Sequence, residues 1–313
     1  MMRLRYLAAA PLVAVAMFGT TAAAWPSGTA AMPQAPPPLT AKALSDRYTA
    51  DAREITLAER AAIRHRDSQL ASALASLEPR QVLFFNPNGP GVAAMVIGNL
   101  ATANRVAILV PGSDTTLATF FSRGPSSPGG GAEALAAEAH RLEPSGPGER
   151  LAIIAWLGYP APAMLSPAVM TSGDAGQGAQ ALRPLVTALA EHGDRVALLC
   201  HSYGSVVCGL AAPDLPVTDI AVYGSPGMDA ATVASLHTTA RIWAGREAGD
   251  WIRYVPHDRL LGVGFGTDPM SPSFGARRFG CGGAGHSSYL QPGSQSLRNL
   301  AYIALGQPGK VAR

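Results

Sequence analysis

From Gln81 to the C-terminus the chain alternates short unbroken apolar runs with longer stretches of helical period. The runs Val82–Phe85, Val92–Gly98, Arg105–Val110, Leu151–Trp156, Val196–Cys200, Ile220–Tyr223 and Ala240–Ala244 are bounded by turn-forming residues, which predicts strands. The first two flank Asn86-Pro87-Asn88-Gly89 and should pair across it. Helical periodicity occupies Ala132–Leu142, Gln177–His192 and Ser296–Leu305, and a short helix should follow the Val196–Cys200 strand. Strands alternating with helices over about 220 residues predict an α/β fold with a mostly parallel, doubly wound sheet and flanking helices.

Upstream the pattern is different. Thr40–Leu77 places Leu44, Tyr48, Ile55, Ile63, Leu70, Leu74 and Leu77 close to a helical period. Thr56 with Glu59 has the spacing of a capping box, which predicts two helices with a break near Ile55. Residues 40–78 therefore form an N-terminal helical extension to an α/β domain spanning 79–313, packed on it as a brace, with a lid or a dimer arm as the alternatives. Residues 25–39, ending in a Pro-rich stretch, are an extended linker. Residues 1–24 have the anatomy of a secretory signal peptide: Arg3 and Arg5, the apolar Leu7–Phe18, then Ala22-Ala23-Ala24. That apolar run is too short to span a bilayer. The expectation is a secreted protein with no stable membrane insertion.

Charge narrows the partner. The formal net charge is +3 from 24 basic and 21 acidic residues, and losing Arg3 and Arg5 with the leader leaves 22 against 21, or +1. No basic patch points to nucleic acid, so a small-molecule substrate is expected. Three cysteines leave at least one unpaired. Cys200 and Cys208 are expected to be buried as small hydrophobes, with no disulfide framework implied. No spacing suggests a metal site, and nothing calls for an organic cofactor.

The candidate chemistry centres on Val196–Gly209, VALLCHSYGSVVCG, where an apolar run meets His201-Ser202-Tyr203-Gly204 and a small-residue helix. This is the context of a nucleophile elbow, with Ser202 at the tip of a strained strand-to-helix turn. Gly204 leaves room where the helix crosses the strand. The usual G-x-S-x-G pattern has Cys200 in place of its first glycine. A serine nucleophile needs a base, an acid to orient it, and donors for the oxyanion. His286, in a Gly-rich loop before the last helix, is the first candidate base, with His257 second. His237 reads as a surface residue, and the turn should point His201 away from the site. Asp250, after the Ala240–Ala244 strand, is the candidate acid, with Asp258 and Asp268 as rivals. The backbone amides of Tyr203 and Ser113 are the candidate oxyanion donors.

VAILVPGSDT, HSYGSVV, YGSPGM, DP with FGARRF, and GHSSYL followed by SLRN together resemble an uncharacterised α/β-hydrolase family of secreted and cytoplasmic actinobacterial proteins. The resemblance runs from about Val82 to the C-terminus and implies the α/β-hydrolase fold. It sets Ser202 and His286 on the family's nucleophile and histidine positions, and Asp250 where such folds keep their acid. The combined expectation is a serine hydrolase with a Ser202–His286–Asp250 triad, acting on a small-molecule or lipid ester and less readily on an amide. A peptidase, or a non-catalytic binding protein on the same fold, is the alternative.

Overall fold

The computed structural model describes residues 36–144, 150–255 and 264–313. The expected leader, most of the linker, and the rival residues His257 and Asp258 lie outside them. Two helices lead the chain, α1 (Ala41–Arg64) and α2 (Ser68–Leu77). An alternating series follows: β1 (Gln81–Asn86), β2 (Val92–Ile97), β3 (Arg105–Val110), α3 (Pro128–Leu142), β4 (Leu151–Leu157), α4 (Gly173–Glu191), β5 (Arg195–His201) and α5 (Gly204–Ala211). It continues with β6 (Asp219–Tyr223), β7 (Gly227–Ala230), β8 (Arg241–Gly245), β9 (Phe265–Gly266), β10 (Arg277–Arg278) and α6 (Gln295–Ala304).

Among the described residues, eight strands form one sheet in the order β1-β2-β4-β3-β5-β6-β8-β10, while β7 and β9 pair separately. The β1–β2 and β2–β4 pairs are antiparallel, and every pair from β4 to β10 is parallel. Alternation along the strands builds a core on each face. Val106, Ile108 and Val110 of β3 join Val196, Leu198 and Cys200 of β5 in the core beneath α4 and α5. Ala107, Leu109 and Leu199 face the other way, into the core shared with α3 and α6. The continuous apolar runs are thus strands buried on both faces, as crossover helices require. At the amino end of β6 the buried Asp219 accepts hydrogen bonds from Arg241 Nε and Nη2 and from the Trp243 indole N–H, at 2.7–2.8 Å. That cluster fixes the register of β8, whose carboxyl end leads into the loop that carries Asp250.

The N-terminal helices brace the sheet: α1 packs against α2 and the edge strand β1, which keeps that edge from pairing elsewhere. No break occurs near Ile55. The Thr56 hydroxyl donates to the Ala52 carbonyl one turn back (3.0 Å) instead of capping a new helix. The break falls after Arg64, where Arg66 takes a left-handed φ of 61° and Asp67 caps α2 by accepting the Leu70 amide.

Close approach of helix to strand is set by glycine. A Cβ added at Gly209 in α5 would lie 1.9 Å from the Met228 carbonyl oxygen in β7, whereas one added at Gly176 in α4 would meet nothing within 4 Å. Gly209→Ala is expected to cost about 3 kcal/mol, or to prevent folding. Gly176→Ala is expected to gain about 0.5–1 kcal/mol from helix propensity and a less free unfolded chain. Urea midpoints of the two variants should move in opposite directions.

Candidate active site

The carboxyl ends of β3, β5 and β8 open on one edge of the sheet, where ligands bind in open α/β folds. Ser202 follows β5 with a left-handed φ of 51°, a costly conformation for a non-glycine residue that surrounding structure must enforce. Its amide donates to the Tyr223 carbonyl (3.0 Å) at the end of β6. Two glycines make the tight turn possible. An added Cβ would lie 2.5 Å from the Val110 carbonyl oxygen at Gly204, and 2.7 Å from the Ser202 Cβ at Gly112.

The reading of Cys200 and Cys208 as unpaired small hydrophobes, with no disulfide framework implied, is corrected: the two are bonded, tying β5 to the next helix across the serine turn. Both side chains sit on the same core face, so two residues that read as small hydrophobes are brought together by the strand–helix reversal. Cys281 is free and buried.

The Ser202 hydroxyl lies 2.9 Å from His286 Nε2. His286 Nδ1 lies 2.9 Å and 3.0 Å from the two carboxylate oxygens of Asp250. Asp250 is fully buried. Burial would push its carboxyl up, but hydrogen bonds from His286, Tyr289 and the Ile252 amide outweigh that and hold it below the ordinary carboxylate range. Asp268 instead pairs with Arg246 (2.9 Å) and accepts the Met270 amide. His237 is exposed, at the end of a short helical turn.

Of the two candidate oxyanion donors, Tyr203 follows the serine in the chain and Ser113 follows Gly112, whose Cα side faces the Ser202 Cβ. Tyr203 begins the elbow helix, its hydroxyl donating to the Thr171 carbonyl (2.6 Å) and accepting the Ala175 amide (3.2 Å). Ser113 follows Gly112 directly, and its loop is tied down by Asp114. The Asp114 amide donates to the Pro162 carbonyl (3.0 Å) and its carboxylate accepts the Met164 amide (2.9 Å). Among the described residues the buried Ser113 hydroxyl has no hydrogen-bond partner.

Several residues here escaped the sequence reading. Tyr289 donates its hydroxyl to Asp250 Oδ2 (2.5 Å) and accepts the Glu247 amide (3.0 Å). Burial and the Asp250 carboxylate raise its phenol far above the ordinary range, so it stays a donor. Glu247, also buried, accepts the Ala284 amide (2.8 Å) and the Ser296 hydroxyl (3.2 Å), which anchors the loop that carries His286. His201 does not point away, contrary to expectation. Its ring packs against His286 (centroids 4.9 Å apart), and its Nε2 lies 2.8 Å from the His286 carbonyl oxygen. The cause is strand alternation: His201 shares the β5 face of Leu199, which is the face that α6 and its preceding loop cover.

A family model described as alpha/beta hydrolase matches residues 86–259, more than half of the chain. An uncharacterised protein of Mycobacterium tuberculosis H37Rv is 33% identical over 257 residues, covering 72% of this chain but 38% of the relative. The chain therefore matches well under half the length of that protein. An uncharacterised protein of Mycobacterium bovis is 32% identical over 158 residues, covering 49% of this chain and 55% of its own. Among solved structures, esterase PE8 is similar at 13% identity and TM-score 0.45 over 69% of this chain and 98% of its own. Esterase LipW from Mycobacterium marinum is similar at 14% and 0.42 over 85% and 89%. Likeness this distant carries nothing about activity.

Burial, and secondarily the neighbouring His286, pushes the His201 imidazole down to about 3. In the unfolded chain a histidine takes up its proton near pH ~6.5. Stability from the neutral ring is thus fully present above about pH 6.5 and is lost as pH falls toward about 3, by at most about 1.4 kcal/mol per pH unit. A carbonyl only accepts, so Nε2 carries the proton in the contact to His286. His201→Gln can still donate there but does not titrate. Urea unfolding between pH 7 and pH 4.5 is expected to show a shallower loss of stability in that variant than in the wild type.

Proposed function

This chain belongs to the alpha/beta hydrolase family, and on that premise we propose that it is an exported serine hydrolase cleaving carboxylic esters, amides less readily. The observation that carries this reading is the hydrogen-bonded series Asp250, His286, Ser202, ending on a serine in a left-handed turn. In the proposed reaction His286 Nε2 takes the Ser202 proton as Oγ bonds to the ester carbonyl carbon. The tetrahedral oxyanion is held by the amides of Tyr203 and Ser113, and the unpartnered Ser113 hydroxyl is available beside them. His286 then gives its proton to the departing alcohol oxygen as the C–O bond breaks, leaving an acyl-enzyme. Water, deprotonated by the same imidazole, releases the acid and restores Ser202. Asp250 keeps the imidazole in the tautomer with its proton on Nδ1 and stabilises the imidazolium.

Export is supported by the leader-like residues 1–24 and by the Cys200–Cys208 bond, a linkage favoured in oxidising compartments. Intact mass of secreted material is expected to correspond to a chain starting at Trp25. Material in the medium that retains Met1 would overturn this.

A fluorophosphonate probe is expected to label Ser202 in the wild type, not at all in Ser202→Ala and much more slowly in His286→Ala. Asp250→Asn is expected to lower kcat on p-nitrophenyl esters by about 10³–10⁴, while Asp258→Asn stays near wild type. A folded wild type that takes no label would favour a binding protein on this fold instead. Label persisting in Ser202→Ala would move the chemistry elsewhere.

A further inference from the structure

Directly after Asp250 the chain makes one 3₁₀ turn, Trp251–Tyr254, capped by the Asp250 carboxylate accepting the Ile252 amide (2.8 Å). Ile252 is buried and anchors the turn, yet Trp251 is 43% exposed and Tyr254 80%. Side chains three apart on a 3₁₀ helix eclipse one another, so the two aromatic rings rise from the same side of the turn. The Trp251 ring also packs against His286, centroids 4.6 Å apart. An aromatic ledge thus starts on the imidazole and runs outward into solvent, where large apolar groups are disfavoured unless something covers them.

Resting on the serine hydrolase reading, we propose that this ledge is the leaving-group site, and that the enzyme prefers esters of apolar, ring-bearing alcohols. The two halves of an ester are told apart by the chemistry. The carbonyl oxygen turns to the amides of Tyr203 and Ser113. The alcohol oxygen must come within hydrogen-bond reach of His286 Nε2, because that nitrogen supplies the proton as the C–O bond breaks. The first atoms of the alcohol are therefore held beside the imidazole, and Trp251 packs on that same ring. An aromatic alcohol extending from there lies over the indole and then toward Tyr254, in the offset or edge contacts that aromatic rings favour. The acyl chain leaves the carbonyl carbon in another direction and does not meet the ledge. Trp251 acts in acylation only, since the alcohol has departed before deacylation begins.

The test uses acetate esters of ethanol, benzyl alcohol and 2-naphthylmethanol, whose leaving oxygens are similar in basicity, alongside ethyl acetate, butyrate and octanoate. In the wild type, kcat/KM is expected to rise from ethyl to benzyl to naphthylmethyl acetate. Trp251→Ala is expected to lose about tenfold more on the naphthylmethyl ester than on ethyl acetate, and to keep the acyl-chain preference of the wild type. Tyr254→Ala is expected to show a smaller loss confined to the naphthylmethyl ester, and it decides the matter if Trp251→Ala fails to fold. An equal loss on every alcohol, or a changed acyl preference, overturns the proposal. Fluorophosphonate labelling of the same preparations separates the two readings. Unlabelled wild type refutes the serine hydrolase itself, whereas labelled variants with unchanged alcohol preference refute only the leaving-group site.

Discussion

A carboxylate cut off from water must find its hydrogen bonds inside the protein or give up its charge, and Asp250 finds them from three directions. The His286 imidazole, the Tyr289 hydroxyl and the Ile252 amide converge on it. Two of the donors come from the loop before α6 and the third from the 3₁₀ turn after the carboxylate itself. Holding one charge in place therefore holds both segments to the loop that follows β8. Glu247, three residues earlier in the same loop, does the complementary task by gripping the Ala284 amide and the Ser296 hydroxyl. The imidazole is thus fixed both at its ring and through the loop on either side of it.

The other half of the site is set by how tightly α5 can lie against the sheet. Its sequence, GSVVCGLA, is small at the positions that face backbone. Gly204 sits against the end of β3 and Gly209 against β7. Seating the helix this close forces the chain to reverse within a single residue after β5, and that residue is Ser202. The Cys200–Cys208 bond closes the same reversal covalently. The strained backbone at the serine is a product of strand, helix and disulfide together, and no local preference of the serine could maintain it.

Much of this was legible in the sequence, and the failures share a cause. Strands buried on both faces announce themselves as unbroken apolar runs, so β3, β4, β5, β6 and β8 lie within a residue or two of where the pattern puts them. Position after a strand likewise put Ser202, Asp250 and Ser113 on one edge. What the pattern could not carry was anything that depends on two distant segments meeting. Tyr289 and Glu247 look like ordinary residues in polar loops until those loops are brought together. His201 stands before the serine, but it is its strand parity with Leu199 that sets it facing the α6 side. Thr56 and Glu59 show the opposite error: a motif with the right spacing was satisfied inside one helix, because a threonine hydroxyl can bond its own preceding turn as readily as it can cap a new one.

The left-handed backbone at position 202 also limits which nucleophiles this scaffold could ever adopt. A β-branched residue is a genuine outlier at positive φ. Cysteine has the same unbranched Cβ as serine and does not meet that obstacle. In divergence from this fold, exchange of oxygen for sulfur at residue 202 is open. Exchange of one hydroxyl amino acid for the other is closed by conformation before reactivity enters at all.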